Sequence, residues 1–75
     1  MQYDPGRYYT AVVTKNLEAG GAFVHIADLN IDAYVPGRIT RQVTLFPKLK
    51  VYVTLMPSAK PDASVKYEVQ SLRTV

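Results

Sequence analysis

The side chains of this 75-residue chain offer little for catalysis. His25 is the only histidine and cysteine is absent, which excludes thiolate nucleophiles, disulfides and thiolate metal sites. A zinc site would need a second histidine or a cysteine, because carboxylates alone complement that metal poorly. None of the serines lies in a motif that would activate its hydroxyl, and Gly20-Gly21 lacks the spacing of a phosphate-binding loop. We therefore expect a protein that is not an enzyme and that holds no cofactor or metal.

Aromatic rings are the chemistry that the chain does offer, and their spacing is that of strands. Residues 22–26 (AFVHI) alternate between an aliphatic set and the pair Phe23 and His25, and successive strand side chains point to opposite faces. Residues 32–36 (DAYVP) repeat the pattern with Tyr34 on the second face. If the aliphatic set packs in a core, the three rings face outward, where a flat partner could stack. The inverted arrangement, with Phe23 in the core, stays open on the sequence.

Positive charge is concentrated in the second half of the chain. Residues 1–35 carry two basic side chains (lysine or arginine) and four carboxylates, whereas residues 36–75 carry seven basic side chains and two carboxylates. The net charge of the whole chain is +3. A basic half on a small domain suits a polyanionic partner, although many ordinary proteins have one. No apolar run approaches the roughly 20 residues that cross a bilayer, and no signal pattern begins the chain. We expect a soluble, cytoplasmic protein with no membrane partner.

Alternating apolar residues predict five strands, at 7–15, 22–26, 32–36, 48–56 and 65–72. The aliphatic positions expected in the core are Val24, Val35, Val51, Val53 and Val69. The side chains expected to face outward from the fourth strand are Lys48, Lys50, Tyr52, Thr54 and Met56. Residues 38–46 mix helical spacing with strand composition, which predicts a short helical or irregular connection.

These elements indicate one small domain over residues 1–75, with residues 1–6 leading loosely into it. An all-β chain of this length must close its sheet, or nearly so, to avoid exposed edges. We therefore predict an all-β fold, a small five-stranded barrel of the oligonucleotide/oligosaccharide-binding (OB) type, with the short connection between strands 3 and 4. An SH3-like barrel is the alternative, because strand count separates the two poorly.

Several short motifs resemble known RNA-binding families. Gly20-Gly21-Ala22-Phe23-Val24 followed by Asp32-Ala33-Tyr34-Val35-Pro36 looks like the S-one RNA-binding domain, and the same two strands resemble the RNA-contacting strands of cold-shock domains. The segment from Gly37 to Arg73 is similar to bacterial translation initiation factor one. The resemblance implies that Phe23 and Tyr34 stack on bases and that His25 is a neighbouring contact. The chain departs from the cold-shock pattern at Gly21, where those domains carry an aromatic residue.

The function that we predict is non-catalytic binding of single-stranded nucleic acid, RNA or DNA, by a monomer. Stacked bases need exposed rings, and phosphates need cations along their path. The expected contacts are Phe23, His25, Tyr34, Lys15, Arg38, Arg41, Lys48, Lys50 and Tyr52, with Tyr8 a further candidate ring. We also expect Arg38, Arg41, Lys48 and Lys50 to gather on the side of the barrel that shows Phe23.

The competing function is that of a small protein-binding barrel, because a fold of this kind does not settle its partner. Tyr3, Tyr8 and Tyr9, with Met56-Pro57, could form an aromatic interface. Such a module would modulate a larger machine of gene expression, such as the ribosome, RNA polymerase or a nuclease. The two functions could coexist in one protein.

Overall fold

The computed structural model describes residues 3–18, 20–58 and 65–75. Within these ranges lie five strands and one short helix, and each strand matches a predicted one to within two residues at either end. In chain order they are β1 (Tyr9–Asn16), β2 (Ala22–Ile26), β3 (Ile31–Val35), α1 (Gly37–Thr40), β4 (Lys50–Pro57) and β5 (Tyr67–Thr74).

The strands close into a barrel in the order β1-β2-β3-β5-β4, with β4 paired back to β1. Four of the five strand pairs are antiparallel, and only β3 and β5 run parallel, where they meet at Tyr34 and Glu68. The chain leaves β3 through α1 and crosses to β4 before β5 returns beside β3. This Greek-key path is that of an OB-type barrel. Strand order thus distinguishes the OB-type barrel from the SH3-like alternative, which strand count could not do.

The core of the barrel is aliphatic and follows the predicted alternation. The five valines expected inside, Val24, Val35, Val51, Val53 and Val69, have no exposed surface. Tyr9, Ala11 and Val13 bury the inward face of β1. Because strand side chains alternate with a period of two, burying these residues sets the outward face of each strand. Phe23 therefore faces outward, and the inverted arrangement is excluded.

Two predictions for the fourth strand are wrong. Thr54, expected outside, is only 4% exposed. Ser71 of β5 covers it: the Thr54 hydroxyl bonds with the Ser71 hydroxyl at 2.7 Å and accepts from the Ser71 amide at 3.0 Å. The β4–β5 ladder is irregular at this point, because Thr54 pairs with Ser71 but Leu55 pairs with Val69, which leaves one extra residue on β5. Lys48, expected as the first strand residue, precedes β4 and has a left-handed φ of 76°.

The connection between β3 and β4 is short and largely irregular, as predicted. Pro36 caps a single helical turn, α1, whose Ile39 is buried in the barrel. The Thr40 hydroxyl accepts a hydrogen bond from the Gly21 amide at 3.2 Å, and the Asn16 amide donates to the Leu45 carbonyl. These contacts fasten the connection to the β1–β2 turn. In the described part of the chain, no helix has the length and apolar character to cross a membrane.

Candidate nucleic-acid interface

The rings of Phe23 and Tyr34 lie side by side on the outer surface of the barrel. The two residues are direct partners across the antiparallel β2–β3 pair. Their ring centroids are 5.8 Å apart and their planes are inclined by 59°. We call this pair the ring platform. The predicted adjacency is confirmed, but the predicted exposure is too high, because both side chains are half-buried.

Gly21 explains part of this burial. It has a φ of +96°, and a Cβ atom built there would lie 2.6 Å from the Tyr34 hydroxyl oxygen and 2.9 Å from a ring carbon. The Tyr34 ring therefore lies directly against the backbone of Gly21, in space that any larger residue would fill. The glycine that departs from the cold-shock pattern is thus the surface on which Tyr34 rests.

His25 and Asp32 form the next cross-strand pair along the platform. His25 Nδ1 lies 2.9 Å from Asp32 Oδ1, and the two side chains are 40% and 62% exposed. Since an ionised carboxylate can only accept, His25 donates from Nδ1 and, when neutral, keeps Nε2 as an acceptor. Both residues thus add hydrogen-bond acceptors beside the rings. Asp32 is not among the contacts predicted from the sequence, although its position in DAYVP places it on the same face as Tyr34.

Lys15 supplies the cation closest to the platform by strand pairing. It is the cross-strand partner of Phe23, at a point where an irregularity in β1 follows Val13. The neighbouring Thr14 hydroxyl donates to the Phe23 carbonyl at 3.2 Å. A shallow depression is lined here by Thr14, Lys15, Phe23, Asp32 and Val65. The outer surface of β1, β2 and β3 and the start of the chain leading into β5 thus form one concave site.

The other predicted cations do not form a single strip. Lys50 pairs with Val12, which pairs with His25 in turn, so Lys50 lies two strands from the platform on the β4 side. Arg38 lies on the opposite flank, where its guanidinium donates to the Gln70 carbonyl of β5 at 3.4 Å. Arg41 is exposed at the C-terminal cap of α1. The predicted gathering is therefore wrong, because these cations belong to elements that dock on different edges of the β2–β3 pair.

Lys48 also stays apart from the rings. Its amide donates to the Val13 carbonyl at 2.7 Å, in the turn that precedes β4. The side chain is exposed. Lys48 and Lys50 thus accompany β1 and β4 rather than β2 and β3.

Tyr52 belongs to a different part of the outer surface. It pairs with Thr10 on one side and Arg73 on the other, and it is 38% exposed. Tyr8, 40% exposed, lies close by with the Arg73 guanidinium 5.4 Å above its ring. Sequence reasoning missed Arg73 because the fifth strand was predicted to end at residue 72. A longer predicted strand would not have corrected this, because its parity places residue 73 on the inward face with Val69, and only the extra residue on β5 turns Arg73 outward.

The described residues include no group of three or more histidine, aspartate or glutamate side chains arranged to hold a metal ion. Comparison with protein-family models, with curated proteins and with solved structures gave no match to this chain. The resemblance to S-one and cold-shock domains therefore stays a prediction.

Proposed function

We propose that this barrel binds single-stranded nucleic acid, RNA in the first instance, across the ring platform. It would act in the cytoplasm as a monomer, without catalysis or cofactor. The observation that carries the proposal is the direct pairing of Phe23 and Tyr34 on β2 and β3, with Lys15 paired to Phe23 from β1. The outer face of strands 2 and 3 is also where OB-type barrels commonly take their ligands.

Stacking would supply most of the binding free energy. Each base that stacks on an aromatic side chain contributes roughly 1–3 kcal/mol, largely irrespective of sequence. The two rings are inclined by 59°, so they would receive two splayed bases rather than one continuous stack. Half-buried rings also lose less side-chain entropy on binding than mobile ones, because neighbouring atoms already hold them.

Electrostatics give the bound strand a direction across the barrel. Asp32 and the β5 residue Glu68, which pairs with Tyr34, put carboxylates on the β3 side of the platform. Lys15 puts a cation on the β1 side. We therefore expect the phosphates to lie towards β1, next to Lys15, and the bases to point towards β3. There Asp32 and His25 would accept hydrogen bonds from base amino and imino groups.

The same carboxylates favour the protein-binding alternative, because they repel phosphates and attract basic peptides. The interface first considered for that alternative is not formed as expected. Tyr9 is only 5% exposed, and Tyr3 packs edge-on against Tyr67 with ring centroids 5.4 Å apart. Tyr8 is the tyrosine of that set that stays exposed, so a protein partner would use the ring platform or the surface around Tyr8.

Fluorescence anisotropy with a labelled eight-nucleotide oligouridine, titrated at several salt concentrations, tests the proposal. We expect binding that weakens with salt, because cations on the protein displace counterions from the strand. Phe23→Ala should weaken binding by roughly 1–3 kcal/mol, the value of one stacked base. Lys15→Gln should reduce the slope of log affinity against log salt by about 0.7, the loss of one phosphate contact on a single strand. The matching DNA oligomer shows whether the 2′-hydroxyl contributes.

Phe46→Ala is the control, because it removes a 53% exposed ring from the segment between α1 and β4. Its affinity should equal that of the wild type. Circular dichroism of each variant shows whether the half-buried Phe23 can be removed without loss of the fold. A wild type that binds no oligonucleotide at low salt, or a folded Phe23→Ala variant with unchanged affinity, would leave the protein-binding alternative.

A further inference from the structure

A second cluster of exposed rings and cations lies on the outer surface of β4 and β5. It consists of Tyr8, Tyr52 and Arg73, and we call it the tyrosine–arginine platform. Together with Thr74 these residues line a shallow depression. The ring platform and the tyrosine–arginine platform share no residue.

Hydrogen bonds hold the tyrosine–arginine platform in place. The Tyr8 hydroxyl is 3.3 Å from the Ser71 hydroxyl, which bonds in turn to the buried Thr54 hydroxyl at 2.7 Å. Arg73 lies over the Tyr8 ring at 5.4 Å from its centroid. Tyr8 precedes β1 but is thus tied to β5, 63 residues further along the chain. This arrangement fixes an aromatic face and a cation side by side before any ligand arrives.

The chemistry of the cluster fits a planar group joined to an anion. Tyrosine rings stack on bases, and an arginine guanidinium pairs with phosphate oxygens. The outward residues that pair around Tyr52 are Thr10 and Arg73, and Lys50 is the next outward residue on β4. None of these is acidic, in contrast to Asp32 and Glu68 beside the ring platform. A nucleotide unit suits this surface better than a basic peptide does.

Strand pairing connects the two platforms. Lys50, Val12 and His25 form one row across β4, β1 and β2, and all three are on the outer surface. With about 4.8 Å between strands and 3.3 Å between residues, Phe23 and Tyr52 lie roughly 16 Å apart along that surface. A nucleic-acid strand that covers this distance passes Lys15 and Lys50. OB folds bind about 4–16 nucleotides, so the span is within their usual reach.

We infer that a single strand seated on the ring platform continues over β1 and stacks again on the tyrosine–arginine platform. The inference rests on the proposed function and deepens it by assigning a second, sequential subsite to the same ligand. Short strands would fill only the first subsite, whereas longer strands would reach both.

Binding of 4-nucleotide and 12-nucleotide oligouridines to the folded variants tests the inference. Tyr52→Ala removes one base stack, and Arg73→Gln removes the cation beside it. Each should weaken 12-mer binding by about five- to 150-fold, the effect of one stacked base, and leave 4-mer binding unchanged. Phe23→Ala should weaken both lengths, and Phe46→Ala neither.

The outcomes separate the two hypotheses. If Tyr52→Ala and Arg73→Gln bind the 12-mer like the wild type while Phe23→Ala weakens both lengths, the second subsite is refuted and the proposed function stands. Equal weakening of both lengths by Tyr52→Ala would also overturn the sequential arrangement. A wild type that binds neither length would refute the proposed function and the second subsite together.

Discussion

The Gly21→Ala variant places one methyl group beneath the ring of Tyr34. The added carbon would lie 2.6 Å from the Tyr34 hydroxyl oxygen and 3.0 Å from the ring carbon that bears it. Non-bonded heavy atoms do not approach so closely, so the ring must move away from Gly21. Because Tyr34 and Phe23 face each other across β2 and β3, that movement also separates the two rings of the platform.

Two terms make up the expected loss of stability. A residue other than glycine at a φ of +96° costs about 1–2 kcal/mol, the penalty of a left-handed backbone. Separation of the aromatic pair costs about 0.5–1.5 kcal/mol more. The sum of about 1.5–3.5 kcal/mol corresponds to a fall in Tm of roughly 6–28 °C, at about 4–8 °C per kcal/mol for a domain of this size.

Gly20→Ala is the matched control. Gly20 also has a left-handed φ, +103°, but the nearest atom to an added Cβ is the Gly37 Cα at 3.9 Å. This variant should show the backbone penalty alone, about 1–2 kcal/mol. Urea unfolding followed by circular dichroism measures both variants. Oligonucleotide affinity should fall for Gly21→Ala and stay near the wild-type value for Gly20→Ala.

A double-mutant cycle isolates the contact between the methyl group and the ring. In a Tyr34→Ala background, Gly21→Ala should cost only the backbone penalty, so the two changes should be coupled by about 0.5–1.5 kcal/mol. Strict additivity would refute the reasoning. Equal destabilisation by Gly20→Ala and Gly21→Ala would also refute it, because the methyl group added at Gly21 would then cost no more than the backbone penalty and would not displace the Tyr34 ring.

Two further predictions concern the barrel wall. Val53→Ala should lower the free energy of unfolding by about 1–3 kcal/mol, because a fully buried side chain leaves a cavity. The exposed Val12, replaced by alanine, should change it by less than about 0.5 kcal/mol, and comparable losses for both in urea unfolding would contradict the assigned core. Thr54→Val should cost about 1–3 kcal/mol, since the Ser71 amide loses its acceptor at 3.0 Å. Thr10→Val on the exposed face of β1 is its control, and a Thr54→Val variant as stable as that control would show that the hydrogen bond is dispensable.

Local pattern was enough to predict the strands and their faces. A strand repeats every two residues whatever it pairs with, so the apolar parity of AFVHI and DAYVP assigns Phe23 and Tyr34 to the outside. The same rule selected the five buried valines. Closure into a barrel also followed from the sequence, because five short strands without a long helix have few other ways to cover their edges.

Tertiary structure alone decided which outward residues meet. Thr54 is buried against Ser71 of β5, to which its hydroxyl is hydrogen-bonded, and nothing within β4 indicates that contact. The cations were expected together because positive charge is concentrated after residue 35 and Lys48 and Lys50 share the outward parity, but α1 docks Arg38 against β5 while β4 carries Lys50 to the opposite flank. The number of charges in a stretch of sequence does not show on which side of the barrel each element lies.

In the two platforms, too, the sequence predicted the rings but not their neighbours. Tyr34 rests on Gly21, thirteen residues earlier, and Tyr8 meets Arg73 near the other end of the chain. The sequence supplied the rings and their parity, which are properties of single strands. Their neighbours depend on register and strand order, and these are fixed only when the whole barrel closes, because each strand's alignment is set by the pairing of all the others.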